Sequence, residues 1–198
     1  MGRMVISSVV LLGISVLLTM ACVDVEDAIP RQVESFLSQE DILALESVGM
    51  NIYKGSSPPK IEGSYLLTTL DVFYDDLNSK PPDAMAHYTY IFKNQIAGKI
   101  SVSFSAPATN DSATDLGGYV SGNGDCFNVF VEIKGTDDQC NYTMPSIFTG
   151  CLTGNGIIEW QWGFVMGEKV GATCDKMLDQ CHKRIFFLEK VSIFAYDN

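Results

Sequence analysis

The sequence predicts an all-β fold: an up-and-down antiparallel meander of about eight strands that closes as a barrel, preceded by a short N-terminal helix. Three observations carry this. Between Gly117 and Met166, three apolar runs are separated by short turns rich in Gly, Asp and Asn. Within that stretch Phe127, Val129, Val131 and Ile133 alternate with Asn128, Phe130, Glu132 and Lys134, the period of two that turns one face of a strand toward a core. Hairpin-type turn signals then recur along the chain from Ile61 onward. Sequential hairpins make a meander, and closure into a barrel removes its exposed edges.

The chain of 198 residues is long enough for one domain with a sizeable core. Arg3 precedes an uncharged run from Met4 to Cys22 that contains Val9-Val10-Leu11-Leu12 and Val16-Leu17-Leu18. That is the pattern of a secretory signal, so residues 1–21 are read as a signal peptide and the rest as exported. The run ends Leu17-Leu18-Thr19-Met20-Ala21-Cys22, which resembles the lipobox of bacterial lipoproteins, with Met20 departing from the strict pattern. The resemblance implies acylation of Cys22, and several acyl chains anchor a protein stably to a membrane. Asp24, Glu26 and Asp27 follow at once and resemble the acidic signal that sends some Bacteroidota lipoproteins to the outer face of the outer membrane. They serve equally as a solvated tether. Loss of residues 1–21 removes Arg3 and leaves 12 basic against 24 acidic residues, a net charge of −12. Such a surface repels nucleic acid and anionic lipid, so attachment would rest on the lipid and no nucleic-acid partner is expected.

Residues 22–60 read as a lipid-anchored tether with one helix inside it, ending in the linker Gly55-Ser56-Ser57-Pro58-Pro59. Ser38 is an N-cap with Asp41 at N3, Leu37 and Ile42 form a hydrophobic staple, and Gly49 supplies the stop. The stripe Ile42, Leu45 and Val48 or Gly49-Met50 is short, and the helix is expected to cover one end of the sheet.

Residues 61–198 read as the barrel domain. Strands are predicted near Gly63–Phe73, His87–Lys93, Lys99–Ala106, Gly117–Gly122, Asp125–Lys134, Tyr142–Leu152, Ile157–Met166 and Arg184–Ala195. Turns fall at Asn94 to Gly98, Gly122-Asn123-Gly124, Gly135-Thr136-Asp137-Asp138 and Thr153-Gly154-Asn155-Gly156. Several strands, notably those around Ile185-Phe186-Phe187-Leu188 and Trp160 to Met166, are apolar on both faces. One face can fill an interior while the other meets the helix, a loop or a partner.

The stretch from Asn51 to Tyr65, with Pro58-Pro59 ahead of Ile61-Glu62-Gly63-Ser64-Tyr65, and the run Trp162-Gly163-Phe164-Val165-Met166-Gly167-Glu168-Lys169 resemble uncharacterised Bacteroidota lipoproteins. These are described as calycin-like, or lipocalin-like, β-barrels. The resemblance implies a barrel in which a Gly-x-Trp opens the first strand and an Arg near the last strand packs over it. Gly63-Ser64-Tyr65 and Arg184 stand at comparable places, with Tyr in place of Trp.

After Cys22 the cysteines are Cys126, Cys140, Cys151, Cys174 and Cys181. In an exported chain they are read first as disulfide-forming. Cys174 and Cys181 bracket the short stretch Asp175 to Gln180, where a local bridge closes easily, and folding the hairpin at Asp137 and Asp138 brings Cys126 toward Cys151. Those two pairs are expected, leaving Cys140 free. A metal site on Cys174, Cys181, His182 and Asp175 or Asp179 is the rival, and the Cys-x6-Cys spacing is too open for the usual zinc pair.

Only His87 and His182 are available for a nucleophile–histidine set, and no nucleophile elbow, zinc-helix motif, phosphate loop or dinucleotide fingerprint occurs. Asp75-Asp76 and Asp137-Asp138 read as turn residues bonding local backbone, and Gly122-Asn123-Gly124-Asp125 as a turn. No enzyme activity, cofactor or metal is expected. Asn110-Asp111-Ser112-Ala113-Thr114-Asp115 reads as a surface loop without the spacing of a calcium site, and Asp111-Ser112-Ala113 resembles a Bacteroidota O-glycosylation acceptor at Ser112.

The functional expectation rests on aromatic residues. Trp160, Trp162, Phe164 and Met166 share one strand face, and Tyr88, Tyr90 and Phe92 share another, as a cup for a small apolar or amphipathic ligand would need. The same residues serve equally to fill a core. The alternative is a surface lipoprotein that binds a glycan or protein partner without catalysis.

Overall fold

Alternation along the strands separates two buried faces, and the fold is the arrangement that covers both. The computed structural model describes residues 29–68, 70–77, 87–108, 111–137 and 139–194. Cys22, the 1–21 segment and the Asp24–Asp27 cluster lie outside the described residues. The chain is mostly β with one short helix, α1 (Gln39–Ser47), and the strands β1 (Ser56–Ser57), β2 (Gly63–Leu67), β3 (Asp71–Asp75), β4 (Tyr88–Ile96), β5 (Lys99–Ala106), β6 (Asp111–Asn123), β7 (Cys126–Asp137), β8 (Cys140–Thr153), β9 (Gly156–Val165), β10 (Lys169–Gly171) and β11 (Lys183–Phe194).

Apart from the two-residue β1 the sheet is antiparallel, strongly curled and mostly up-and-down. β2 pairs with β4, and pairing then runs through β5, β6, β7, β8 and β9 to β11. The far edge of β11 takes β2 at Ser192 opposite Leu66 and β3 at Phe187 opposite Asp71. β2 and β3 therefore line one edge of β11 in succession, and the curl brings these early strands against the last one.

One end of the sheet has two-residue turns: Ala97-Gly98, Gly124-Asp125 and Gly154-Asn155. Ala97 and Gly98 both have positive φ, 50° and 75°, which matches the right-handed twist of the strands that they join. At the opposite end β9 and β11 are joined through residues 166–182, which include β10. Ile61 is buried in the interior cluster at the short-turn end. Gln95 holds it there by accepting from Ile61 N at 2.8 Å while donating from Nε2 to the Pro59 carbonyl, also at 2.8 Å.

The interior face carries Phe127, Val129, Val131 and Ile133 of β7 together with Tyr65, Val102, Phe104, Phe148, Trp160 and Phe186. The outer face of β7, β8, β9 and β11 carries Phe130, Ile147, Val165 and Ile185, which pack with Val33, Leu37, Ile42, Leu45 and Met50. The helix thus covers an outer face of the sheet, not its end. Its caps are as the sequence reads: Ser38 Oγ accepts from Asp41 N at 3.1 Å, and Gly49 stops the helix at φ 106°.

The described part of the 22–60 segment is docked on the sheet, because two buried amides grip its backbone. Gln161 accepts from Asn51 N (2.7 Å) and donates to the Gly49 carbonyl (3.0 Å). Asn128 accepts from Tyr53 N (2.9 Å) and donates to the Tyr53 carbonyl (2.5 Å) and to Ser121 Oγ (2.7 Å). β1 then pairs parallel with the end of β6, Ser56 opposite Gly122. Asn128→Ala is expected to cost about 1–3 kcal/mol in urea unfolding, because part-buried backbone groups of Tyr53 lose their partners. It should also speed proteolysis between residues 29 and 57, and an unchanged cleavage rate would contradict the clamp.

Three further sequence expectations change. The turn placed at Gly135 to Asp138 is displaced, since β7 runs to Asp137 and Gly135 sits opposite Tyr142, whose ring lies where a Cβ on Gly135 would stand. Asp138 lies outside the described residues. β6 starts at Asp111 rather than Gly117, so Ser112 is an exposed residue of a strand, between Ser105 and Thr136, where a surface loop is expected from the sequence. Arg184 does not lie over Tyr65: Tyr65 pairs with Ile193, while Arg184 stands opposite Asp75 at the other end of β11.

Candidate functional site

The inner faces of β4 and β9 present the aromatic residues singled out from the sequence to one another, with Met166 just beyond the end of β9. Tyr88, Tyr90, Phe92, Trp160, Trp162, Phe164 and Met166 are all buried in the interior cluster. Phe92 and Trp160 rings lie 6.2 Å apart, Trp160 and Phe148 5.5 Å, Tyr90 and Phe148 4.8 Å, and Trp162 and Phe186 5.2 Å. Offset and edge-on contacts of this kind add to the area that each ring buries. The six rings thus form a layer with Phe148, Phe104 and Phe186, which the sequence alone does not single out although each sits at an inward alternate position, and Met166 is buried in the same cluster.

Toward the end of the sheet opposite the two-residue turns this layer acquires polar groups. Asp111, at the start of β6, is buried, and its two carboxylate oxygens accept from Tyr88 (3.0 Å) and Tyr142 (2.7 Å). The Tyr88 ring stacks 6.0 Å from Tyr90 and stands edge-on 5.7 Å from Trp162. Tyr90 is 0% exposed, and its hydroxyl has no hydrogen-bond partner. Asp111 and Tyr142 were missed from sequence because a carboxylate between Asn110 and Ser112 reads as loop; the signal that could have found them is the two-residue step from Asp111 to buried Ala113.

Two disulfides, Cys126–Cys151 and Cys140–Cys174, mark the protein as extracytoplasmic. The first joins residues directly opposite on β7 and β8. The second replaces the expected Cys174–Cys181 bridge, and among the described residues Cys181, not Cys140, is the free, exposed thiol. The cause is β10, which pairs Gly171 with Cys140 and so delivers the following residues to the start of β8. Cys181 is held elsewhere, its N–H donating to the Met166 carbonyl at 2.8 Å. With Cys174 oxidised, the rival metal set of Cys174, Cys181, His182 and Asp175 or Asp179 loses a ligand. Among the described residues no group of three or more His, Cys, Asp or Glu is placed to hold a metal ion.

The segment after β10 covers the interior cluster here. Met177 and Leu178 pack on it, Thr173 Oγ1 accepts from Gln139 N (3.2 Å), and Lys169 donates to the carbonyls of Cys174 (3.2 Å) and Met177 (3.5 Å). Beside it Asp75 does more than the expected turn work. It accepts from Leu77 N at 3.0 Å and also holds Arg184 at 2.6 Å in a largely buried ion pair. His87 is exposed and His182 half-buried.

Burial pushes the Tyr65 phenol up to about 12 and that of Tyr90 well above its usual value of 10, with the neighbouring Tyr88, Tyr142 and Asp111 adding to the latter. The folded chain therefore keeps phenolic protons that the unfolded chain releases. The resulting stabilisation is fully present below pH 10 and is lost as pH rises from 10 through about 12. Alkaline difference absorbance at the phenolate band should show the buried tyrosines ionising only with unfolding, and a smooth titration of every tyrosine near pH 10 would contradict their burial.

Comparison of the chain with protein-family models, with curated proteins and with solved structures found no match.

Proposed function

We propose that the protein is an exported envelope lipoprotein, anchored to the outer membrane through acylated Cys22, whose calycin-like barrel binds a small amphipathic ligand. The observation that carries the ligand reading is the unpartnered Tyr90 hydroxyl, buried beside the Asp111–Tyr88–Tyr142 group inside an aromatic cluster. A buried hydroxyl without a partner costs free energy, and a ligand polar group in this position would supply the missing bond. The ring of strand pairings through β2, β3 and β11 supports the barrel reading. An outward glycan platform would need exposed rings, and Trp160 and Trp162 are both buried, which favours the interior site. Catalysis forms no part of this reading.

Native mass spectrometry of the oxidised exported protein, set against the same sample denatured, tests the proposal. A mass excess that disappears on denaturation is expected. A native mass equal to the acylated, twice-bridged chain, with no shift on adding amphiphiles, would overturn it.

A further inference from the structure

Resting on the acylation of Cys22 proposed above, we propose that the β4–β5 hairpin is the part of the folded domain that seats on the phospholipid surface, with Ile96 entering the headgroup–acyl boundary and Lys93 and Lys99 meeting lipid phosphates. The first step is where the chain leaves the described domain. Pro30 lines one cleft of about 250 Å³ together with Ala97, Gly98 and Lys99, so the N-terminal segment departs beside the tip of this hairpin. The seven steps from residue 22 to residue 29 reach about 25 Å when fully extended. The 14 residues of β8 run from Cys140 at the far end of the sheet to Thr153 at the short-turn end, about 45 Å along the strand and roughly 35 Å along the axis of a sheet whose strands tilt by about 40°. The far end therefore lies beyond the reach of the anchor.

Charge then chooses between two exposed aliphatic side chains near the exit. Ile96 is 72% exposed, the most of any large apolar residue described, and the exposed Lys93 and Lys99 stand three positions to either side of it. It pairs with Lys99 across a two-residue turn, so a strand end presents it. Lys60 belongs to the same corner, where Gln95 donates to the Pro59 carbonyl, and Glu62 beside it is ion-paired with Lys60 at 2.9 Å. Leu43 is 54% exposed in a groove that Ile29 also lines, yet its neighbours three positions either way on α1 are the exposed Glu40 and Glu46. A phosphate surface attracts the lysine-flanked aliphatic and repels the glutamate-flanked one. The acyl chains supply the affinity, and the hairpin sets the orientation. The connection through residues 166–182 then faces away from the bilayer.

The test uses the full acylated chain with Cys181→Ser, so that one introduced cysteine takes an environment-sensitive fluorophore in Ile96→Cys, Leu43→Cys or Val170→Cys. All three native side chains are exposed, and Val170 lies on β10 at the far end. In phosphatidylethanolamine–phosphatidylglycerol vesicles that carry a nitroxide near the headgroup, the label at position 96 is expected to lose at least about half of its emission by contact at that depth, while labels at 43 and 170 keep theirs. Adding Lys99→Glu should weaken the quenching at 96 while the protein still floats with the vesicles, and unchanged quenching would overturn the part assigned to charge. Equal quenching at 43 and 96, or none at 96 on vesicles that carry the protein, would overturn the seating and leave the anchor standing. A chain that does not float with the vesicles and whose mass lacks acyl groups would overturn the anchor and the seating together.

Discussion

Trp160→Ala is expected to remove about 3–5 kcal/mol of unfolding free energy, the range for deleting a large aromatic side chain from a packed interior. Trp160 is fully buried, with Phe148, Phe92 and Tyr90 rings at 5.5, 6.2 and 6.4 Å. Its indole nitrogen has no hydrogen-bond partner, so the substitution sacrifices no hydrogen bond and the whole effect is lost volume and ring contact. Trp160→Phe, which keeps a ring, should cost clearly less. Urea unfolding followed by far-UV circular dichroism measures both. A loss below about 1 kcal/mol for the alanine variant would mean that the aromatic layer is not close-packed.

The second large effect concerns the covalent links. Replacing Cys140 and Cys174 together by Ser should lower stability by about 3 kcal/mol, and replacing Cys126 and Cys151 by a similar amount, since the bridges close loops of 34 and 25 residues in the unfolded chain. The two pairs should differ in kind. Loss of Cys126–Cys151 weakens a ladder that hydrogen bonds already define, whereas loss of Cys140–Cys174 frees the segment with Met177 and Leu178 from the start of β8. Only the latter should raise the accessibility of the interior tryptophans to acrylamide. Cys181→Ser should be close to neutral. Peptide mapping under acid quench checks the pairing directly, and a Cys174–Cys181 fragment in the native protein would refute it.

Much of the sheet is legible in the sequence because its signals are local. Phe127 to Ile133 alternate strictly, and glycines mark the turns after Asn123 and Thr153. What escapes reading depends on partners far along the chain. β10 has three residues and no period, yet it decides which cysteine meets Cys140. The docking of residues 29–57 depends on Asn128 and Gln161, which sit at outward positions of β7 and β9 and read as solvent-facing polar residues until something is placed over them. The candidate site divides in the same way. Its rings are visible from two alternating runs, while the carboxylate that gives it polarity looks like part of a loop, because Asp111 is flanked by polar residues and turns inward only once β5 and β7 flank it.

The pairing of β2 and β3 with β11 sets an order of events in time. Every hairpin from β4 to β9 can form from neighbours in sequence, but Tyr65 finds Ile193 only across more than a hundred intervening residues. Such long-range contacts come late, because the entropy of closing the loop must be met before any contact rewards it. Until β11 is in place, β2 and β3 lack the partner on their outer edge, and Ile185 is missing from the surface on which Ile42 and Leu45 rest. A chain lacking its last dozen described residues would therefore leave β3 without its strand partner and β2 held by β4 alone, opening the sheet with edges free to pair with another copy.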